Sequence, residues 1–131
     1  MALNILVVDD SETVRAVIEK TLRLAQVPVG QLLEAANGRE ALDVLNDNWV
    51  DLVLCDINMP VMGGVEMIAH MREDDLLKDV PVVVVSTEGS KTRIDDLLAQ
   101  GVAAYVRKPF TPERIREVVD GIIGAKDGDE L

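Results

Sequence analysis

The chain alternates short apolar runs with segments of helical periodicity, and this alternation constrains its fold more than any other feature. Five runs are apolar at nearly every position, namely Ile5–Val8, Leu32–Ala36, Leu52–Cys55, Val82–Val85 and Ala103–Val106. Such runs are typical of parallel strands that helices cover on both faces of the sheet. Val82–Val85 is β-branched throughout and is therefore expected to be a central strand. The alternation predicts an α/β domain.

Capping residues mark where the predicted helices begin and end. Ser11, Asn37 and Thr111 stand directly before helical patterns, and their side chains are suited to accept hydrogen bonds from first-turn amides. Gly101 ends the fourth helical pattern. On spacing alone, the apolar face of the first helix includes Val17, and that of the fourth includes Leu98.

Five strand–helix units joined by right-handed crossovers form a doubly wound parallel sheet by default. We expect a flavodoxin-like (βα)5 fold with strand order 2-1-3-4-5, in which strands 1 and 3 are neighbours at the topological switch point. A chain of 131 residues is long enough for one sizeable core. We assign residues 1–124 to a single domain and residues 125–131 to a short polar C-terminal tail.

Charge and composition exclude several functional classes. The chain has 24 acidic and 13 basic residues, a formal net charge of −11, which argues against sequence-independent nucleic-acid binding. No apolar stretch approaches the roughly 20 residues needed to span a bilayer, so no membrane insertion is expected. The single cysteine, Cys55, excludes an internal disulfide and fits a cytoplasmic protein; it is interpreted as a small buried residue. His70 is expected to face solvent.

Acidic residues follow the first and third predicted strands. Asp9 and Asp10 come directly after the first, and Asp56 comes directly after the third. Because these strands are expected to be neighbours, the three carboxylates should meet in one crevice at the carboxyl edge of the sheet. They would repel one another unless a cation neutralised them, and oxygen ligands favour Mg²⁺. Asp10 and Asp56 are expected to ligate the metal, and Asp9 to act through a metal-bound water.

Two polar residues near the ends of the fourth and fifth strands complete a site for a phosphoryl group. Ser86 ends the fourth strand, and Lys108 follows the fifth. Phosphoryl transfer depends mainly on positioning and on neutralising the charge of the transferred oxygens. In this interpretation Asp56 is the nucleophile, Ser86 donates a hydrogen bond to a phosphoryl oxygen, and Lys108 pairs with the developing charge.

Five sequence motifs in this chain resemble those of response-regulator receiver domains, specifically the single-domain chemotaxis (CheY) type. The motifs occur in order at the predicted strand ends, and they are Val7–Asp10, Ala36–Leu42, Asp56–Gly64, Ser86–Glu88 and Gly101–Phe110. The resemblance extends from about Ile5 to about Ile123. It implies a two-component phosphorelay protein rather than an enzyme, capable only of phosphorylating itself from a phosphodonor and of dephosphorylating itself.

The resemblance also assigns roles to individual residues. It implies that a sensor histidine kinase phosphorylates Asp56 in the presence of Mg²⁺, and that the backbone carbonyl of Asn58 is a further metal ligand. It implies a cis peptide bond between Lys108 and Pro109. Asn58, Thr87 and Glu88 occupy the positions that modulate the lifetime of the phosphorylated state.

The resemblance further implies a switch that couples Ser86 to Tyr105. When Ser86 turns toward the phosphoryl group, Tyr105 rotates inward and alters the surface formed by the fourth helix, fifth strand and fifth helix. The expected target is a protein, such as a flagellar switch, a kinase or a phosphatase, and the chain is expected to be a monomer or a weak dimer. Ser86 stands where Thr is commoner, and Thr87 stands where a smaller residue is usual.

Three alternative functions would place different demands on the sequence. A haloacid-dehalogenase-like phosphotransferase would need an acid/base Asp two residues after its nucleophile, where this chain has Asn58. A flavin carrier would need a loop rich in Ser, Thr and Gly after the first strand, where this chain has Asp9–Glu12. A scaffold pseudo-receiver would not need the intact set of acids, hydroxyl and lysine.

Overall fold

Within residues 2–87 and 90–129, which the computed structural model describes, five parallel strands form one sheet in the order β2-β1-β3-β4-β5. The strands are β1 (Leu3–Val8), β2 (Val29–Ala35), β3 (Leu52–Cys55), β4 (Val82–Ser86) and β5 (Ala104–Arg107). The helices are α1 (Glu12–Leu24), α2 (Gly38–Asp47), α3 (Gly64–Glu73), α4 (Lys91–Ala99) and α5 (Pro112–Asp129). The predicted flavodoxin-like strand order is confirmed.

Two apolar clusters fill the space on either side of the sheet. Successive strand residues point to opposite faces, so Ile5 and Val7 join one cluster while Leu6 and Val8 join the other. The first cluster packs beneath α1 and α5, and the second beneath α2, α3 and α4. All residues of β3 and β4 are buried, as expected for central strands.

The predicted helix caps are present. Ser11, Asn37 and Thr111 each accept a hydrogen bond from the backbone amide three residues later, at 3.2, 2.9 and 3.1 Å. Gly101 follows α4 with a φ of +93°, a left-handed conformation that favours glycine, and its amide donates to the Leu98 carbonyl at 3.0 Å. These local signals fix where the helices begin and end.

Two residues expected on apolar helix faces are exposed instead. Val17 is 55% exposed because α1 buries Ile18 and Thr21, and the Thr21 hydroxyl donates to the Val17 carbonyl at 2.7 Å. Leu98 is 45% exposed because its neighbour Leu97 takes the buried position. Adjacent helical residues point about 100° apart, so only one of the two is buried where the contact between helix and sheet is narrow.

Helix α5 continues to Asp129 and so includes part of the segment assigned to the tail. In the described part of the chain, no helix combines the length and the apolar character that crossing a bilayer requires. His70 is exposed on α3, as predicted.

Candidate functional site

The carboxyl ends of β1 and β3 bring the predicted acidic residues together. The two strands are adjacent, and Val8 pairs with Cys55 at their last shared position. Asp9 and Asp56 therefore leave the sheet side by side, and the Asp56 amide donates to the Val8 carbonyl at 3.0 Å. The topology thus places both acidic segments at one edge, as the sequence predicted.

Asp9, Asp10 and Asp56 form a cluster that could hold a metal ion. One carboxylate oxygen from each lies within 4.8 Å of the others. Asp9 is only 2% exposed, whereas Asp10 is exposed and its carboxylate is open to a ligand from solvent. An all-oxygen donor set suits a hard cation such as Mg²⁺ better than zinc.

Lys108 supplies positive charge to the same crevice. Its Nζ atom lies 3.0 Å from Asp9 Oδ2 and 3.5 Å from Asp56 Oδ2, and its side chain is only 18% exposed. The peptide bond to Pro109 is cis, as the resemblance implied. Lys108 thus bridges two carboxylates and offsets part of their mutual repulsion.

The carboxylate of Asp9 is already occupied by protein donors. Its Oδ1 accepts a hydrogen bond from the Ser11 amide at 2.9 Å, and its Oδ2 pairs with Lys108. The Asp56 Oδ1 accepts from the Ile57 amide at 2.7 Å, and its Oδ2 faces Lys108. Protein donors therefore face both oxygens of both carboxylates, and Asp9 is the more deeply buried of the two residues.

Ser86 and Tyr105 lie on neighbouring strands beside this crevice. Ser86 is 1% exposed at the end of β4, and the Lys108 amide donates to its carbonyl at 2.9 Å. Tyr105 lies on β5, where it pairs in register with Val84 of β4. Its side chain is half-buried against the cluster beneath α2, α3 and α4. Strand alternation places the Ser86 and Tyr105 side chains on the same face of the sheet.

The loop after Asp56 is held close to the site by backbone contacts. The Gly64 amide donates to the Ile57 carbonyl at 2.8 Å, and a side chain at Gly64 would collide with the Asp56 carbonyl. Glycine is therefore required where this loop turns back into α3. Asn58 is exposed at the start of the loop, two residues after Asp56 in the sequence.

The other two residues assigned to phosphoryl lifetime, Thr87 and Glu88, follow Ser86 in the sequence. Thr87 is exposed directly after β4, beside the apolar side chains of α1 and near Lys108. Glu88 lies outside the described residues.

Cys55 lies directly before Asp56 but is not suited to bind metal. It is 1% exposed, and burial, together with the negative charges of Asp56 and Asp9, raises the pKa of its thiol well above the usual value. Metal binding by cysteine requires the thiolate. Its interpretation as a buried structural residue fits these observations.

Arg15 is a residue near the site that the sequence did not indicate. Its guanidinium donates to the Asp9 carbonyl at 2.6 Å and pairs with Glu34 at 2.8 Å. It therefore fixes the backbone that carries the acidic pair. A charged residue in a helical pattern is typical of a solvated surface, so nothing in the sequence distinguished it.

Comparison with known proteins identifies the family. The family profile described as the response regulator receiver domain matches residues 5–120. The chain therefore belongs to the receiver domains of response regulators. It is 38% identical over 128 residues to the chemotaxis protein CheY homolog of Campylobacter jejuni, with 97% of each chain covered.

Two further relatives agree with this assignment. The chain is 36% identical over 126 residues to the chemotaxis protein CheY1 of Helicobacter pylori, covering 95% of this chain and 100% of that protein. Its backbone matches the crystal structure of the Vibrio cholerae chemotaxis protein CheY4 with a TM-score of 0.82 at 31% identity, covering 93% and 99% of the two chains. The predicted CheY-type resemblance is confirmed, and the comparisons give no support to a haloacid-dehalogenase-like enzyme or a scaffold pseudo-receiver.

Proposed function

We propose that this receiver domain accepts a phosphoryl group on Asp56 from the phosphohistidine of a sensor histidine kinase. The cluster of Asp9, Asp10 and Asp56, whose ligand oxygens lie within 4.8 Å beside Lys108, is the observation that carries the proposal. A bound Mg²⁺ would neutralise charge on the carboxylates and the phosphoryl oxygens. Asp10, Asp56 and the carbonyl of Asn58 would hold it.

The protein's own groups account for the remaining requirements of the transfer. A carboxylate oxygen of Asp56 attacks phosphorus, the P–N bond to the donor imidazole breaks, and the imidazole leaves as a neutral ring after taking up a proton. Lys108 pairs with negative charge on the incoming group, and the Ser86 hydroxyl donates to one of its oxygens. In the later hydrolysis step, water attacks phosphorus, the bond between phosphorus and the Asp56 oxygen breaks, and inorganic phosphate leaves as the carboxylate is restored. Asn58, Thr87 and Glu88 would modulate the rate of this hydrolysis.

We further propose that phosphorylation is transmitted through Ser86 and Tyr105 to the surface of α4, β5 and α5. A groove of about 520 Å³ lies on this surface, and Tyr105, Ile94 and the exposed Leu98 are among its lining residues. A partner that covers this groove would account for an apolar residue left open to solvent. The target would be a protein in the cytoplasm, and the names of the relatives favour a chemotaxis pathway.

Intact-mass spectrometry after incubation with acetyl phosphate tests the acceptor proposal. We expect one phosphoryl adduct that forms with Mg²⁺ and does not form in Asp56→Asn. Asp75→Asn is the matched control, because the Asp75 side chain is 96% exposed and lies outside the acidic cluster. An adduct that persists in Asp56→Asn would contradict the assignment of the acceptor.

Beryllofluoride, which mimics the phosphoryl group, tests the switch separately. We expect NMR shifts in the wild type around both Asp56 and Tyr105. In Tyr105→Ala, the shifts near Asp56 should remain, while those along α4 should decrease. Shifts confined to the acidic crevice in the wild type would contradict the switch proposal without contradicting the acceptor role of Asp56.

A further inference from the structure

A second apolar groove lies at the opposite edge of the sheet from Asp56. It has a volume of about 330 Å³ and lies between the segment before β3 and the segment before β4. Leu45, Val50 and Leu77 are buried beneath it, at 4%, 7% and 7% exposure. The groove therefore has a preformed apolar floor, as sites that bind side chains do.

Two large apolar side chains stand at this groove almost fully open to solvent. Trp49 is 77% exposed and Leu76 is 89% exposed. An exposed apolar patch of this kind on a small domain marks an interaction site more often than an isolated exposed leucine does. Tryptophan is also the residue most enriched among those that dominate binding energy at protein interfaces.

Hydrogen bonds hold Trp49 in its exposed position. Its indole Nε1 donates to Asp51 Oδ1 at 3.0 Å, while the other oxygen of Asp51 accepts from the Asn4 amide at 2.8 Å. The Asn4 side chain in turn donates to the Trp49 carbonyl at 3.0 Å. The ring is thus tied to the backbone of β1, and a partner would bind it with little further loss of side-chain entropy.

The loop that carries Leu76 is also ordered. Asp74 accepts from the Leu76 amide at 2.8 Å through its side chain and from the Lys78 amide at 2.8 Å through its carbonyl. Arg72 on α3 donates to the Lys78 carbonyl at 2.5 Å. Leu76 therefore projects from a fixed turn, and its exposure is built into the loop.

The charged residues at the rim of this groove are mostly acidic. Among the described residues that line it, Asp79 is the charged one, and Asp47 and Asp75 are exposed next to lining residues in the sequence. Lys78 pairs with Asp75 at 3.5 Å, so these two charges offset each other, and Asp47 and Asp79 supply the excess negative charge. A second copy of this chain, with a net charge of −11, would be repelled by the acidic residues at the groove. A partner with a basic surface would be attracted to them.

We propose that this groove, lined by Trp49, Leu76 and Asp79, binds a basic amphipathic helix of a partner protein. Leucine-like side chains on one face of the helix would enter the groove, and flanking lysines or arginines would meet the acidic rim. The intervening strand β3 separates the groove from Asp56 by roughly 15 Å at about 3.3 Å per residue. The contact therefore leaves the phosphoryl site open, and we expect it to form with or without phosphorylation.

Trp49 provides the measurement, because it is the only tryptophan in the chain. The probe is an amphipathic helical peptide built from leucine and lysine, with a leucine–glutamate peptide of the same pattern as its charge-reversed control. We expect the basic peptide to shift Trp49 emission to shorter wavelength and to saturate, and the acidic peptide to leave it unchanged. The affinity should be the same with and without beryllofluoride.

Surface variants then separate docking from general attraction to an acidic protein. Leu76→Ser and Asp79→Lys should each weaken binding by about tenfold. Leu24→Ser, which removes a 62% exposed leucine on α1, should leave it unchanged. An unchanged Tm and unchanged phosphoryl uptake from acetyl phosphate would show that the variants are folded.

Several results would overturn the proposal. Equal binding of both peptides, or binding that Leu76→Ser leaves unchanged, would mean nonspecific association. A blue shift that depends on protein concentration without peptide, together with a doubled mass in sedimentation, would mean that a second copy occupies the groove. If beryllofluoride changed the affinity for the peptide, the proposal that binding at this groove is independent of phosphorylation would be wrong.

Discussion

At the scale of single residues, Lys108 allows two carboxylates to share one crevice. Asp9 is 2% exposed and has Lys108 as its cationic partner at 3.0 Å. In Lys108→Met, the buried carboxylate keeps the Ser11 amide but loses its counter-charge. We expect a loss of about 2 kcal/mol in the free energy of unfolding, discounted from the larger cost of breaking a fully buried pair.

Urea unfolding with and without Mg²⁺ measures this effect. Because a bound cation supplies part of the missing charge, Mg²⁺ should stabilise Lys108→Met more than it stabilises the wild type. Lys78→Met removes an exposed pair with Asp75 at 3.5 Å and should change stability by less than about 0.5 kcal/mol. An equal loss in both variants would rule out a special role for Lys108 in neutralising the crevice.

Cys55 predicts how stability responds to alkaline pH. Burial raises the pKa of its thiol in the folded protein, so the unfolded state ionises first as pH rises. The stabilising contribution is complete below the unfolded pKa, about 8.5, and is lost above it at about 1.4 kcal/mol per pH unit until the folded thiol also ionises. Urea unfolding between neutral and alkaline pH should show a steeper decline for the wild type than for Cys55→Ala, and parallel curves would contradict this.

At the scale of secondary-structure elements, Arg72 connects α3 to two loops. Its guanidinium donates to the carbonyls of Lys78 and Val80 before β4, and to those of Gln100 and Gly101 after α4. Helix α4 buries only Leu97 among its own residues. Its attachment to the domain therefore depends strongly on the carboxyl end that Arg72 holds.

Replacing Arg72 should loosen both loops together. We expect Arg72→Met to cost about 1–3 kcal/mol, because carbonyl groups lose their donors, and to accelerate amide hydrogen exchange at Gly101 and Lys78. Arg114→Met is the matched control, since Arg114 is 49% exposed in a pair with Glu117. Faster exchange at one loop alone would show that Arg72 does not couple them.

The elements also show where sequence patterns stop being informative. Strands β3 and β4 were predicted within a residue, because burial on both faces leaves only apolar residues. Strand β2 begins at Val29, earlier than predicted, because an edge strand exposes Gly30 and Gln31 and so has no continuous apolar run. Helical spacing similarly placed Leu98 on a buried face, since periodicity does not show how wide the contact with the sheet is.

At the scale of the whole molecule, strand order explains why the acidic site could be predicted. Because β1 and β3 are neighbours, Asp9, Asp10 and Asp56 meet at the carboxyl edge of these strands, and this placement does not depend on the conformation of the loops. Arg15 was missed because its contact with Asp9 depends on the path of α1 across the sheet. The groove at Trp49 was missed because it is formed by two loops whose proximity no local pattern encodes.

The net charge of −11 predicts that salt and Mg²⁺ stabilise the protein by different mechanisms. Any salt screens self-repulsion, but only Mg²⁺ should also bind the acidic cluster. At matched ionic strength, MgCl₂ should therefore raise the Tm more than NaCl, by the equivalent of about 1.4 kcal/mol at ten times the Kd. Asp10→Asn should lose this excess while keeping the NaCl response, and Asp43→Asn, an exposed acid on α2, should keep both. An excess retained in Asp10→Asn would place Mg²⁺ elsewhere on the acidic surface.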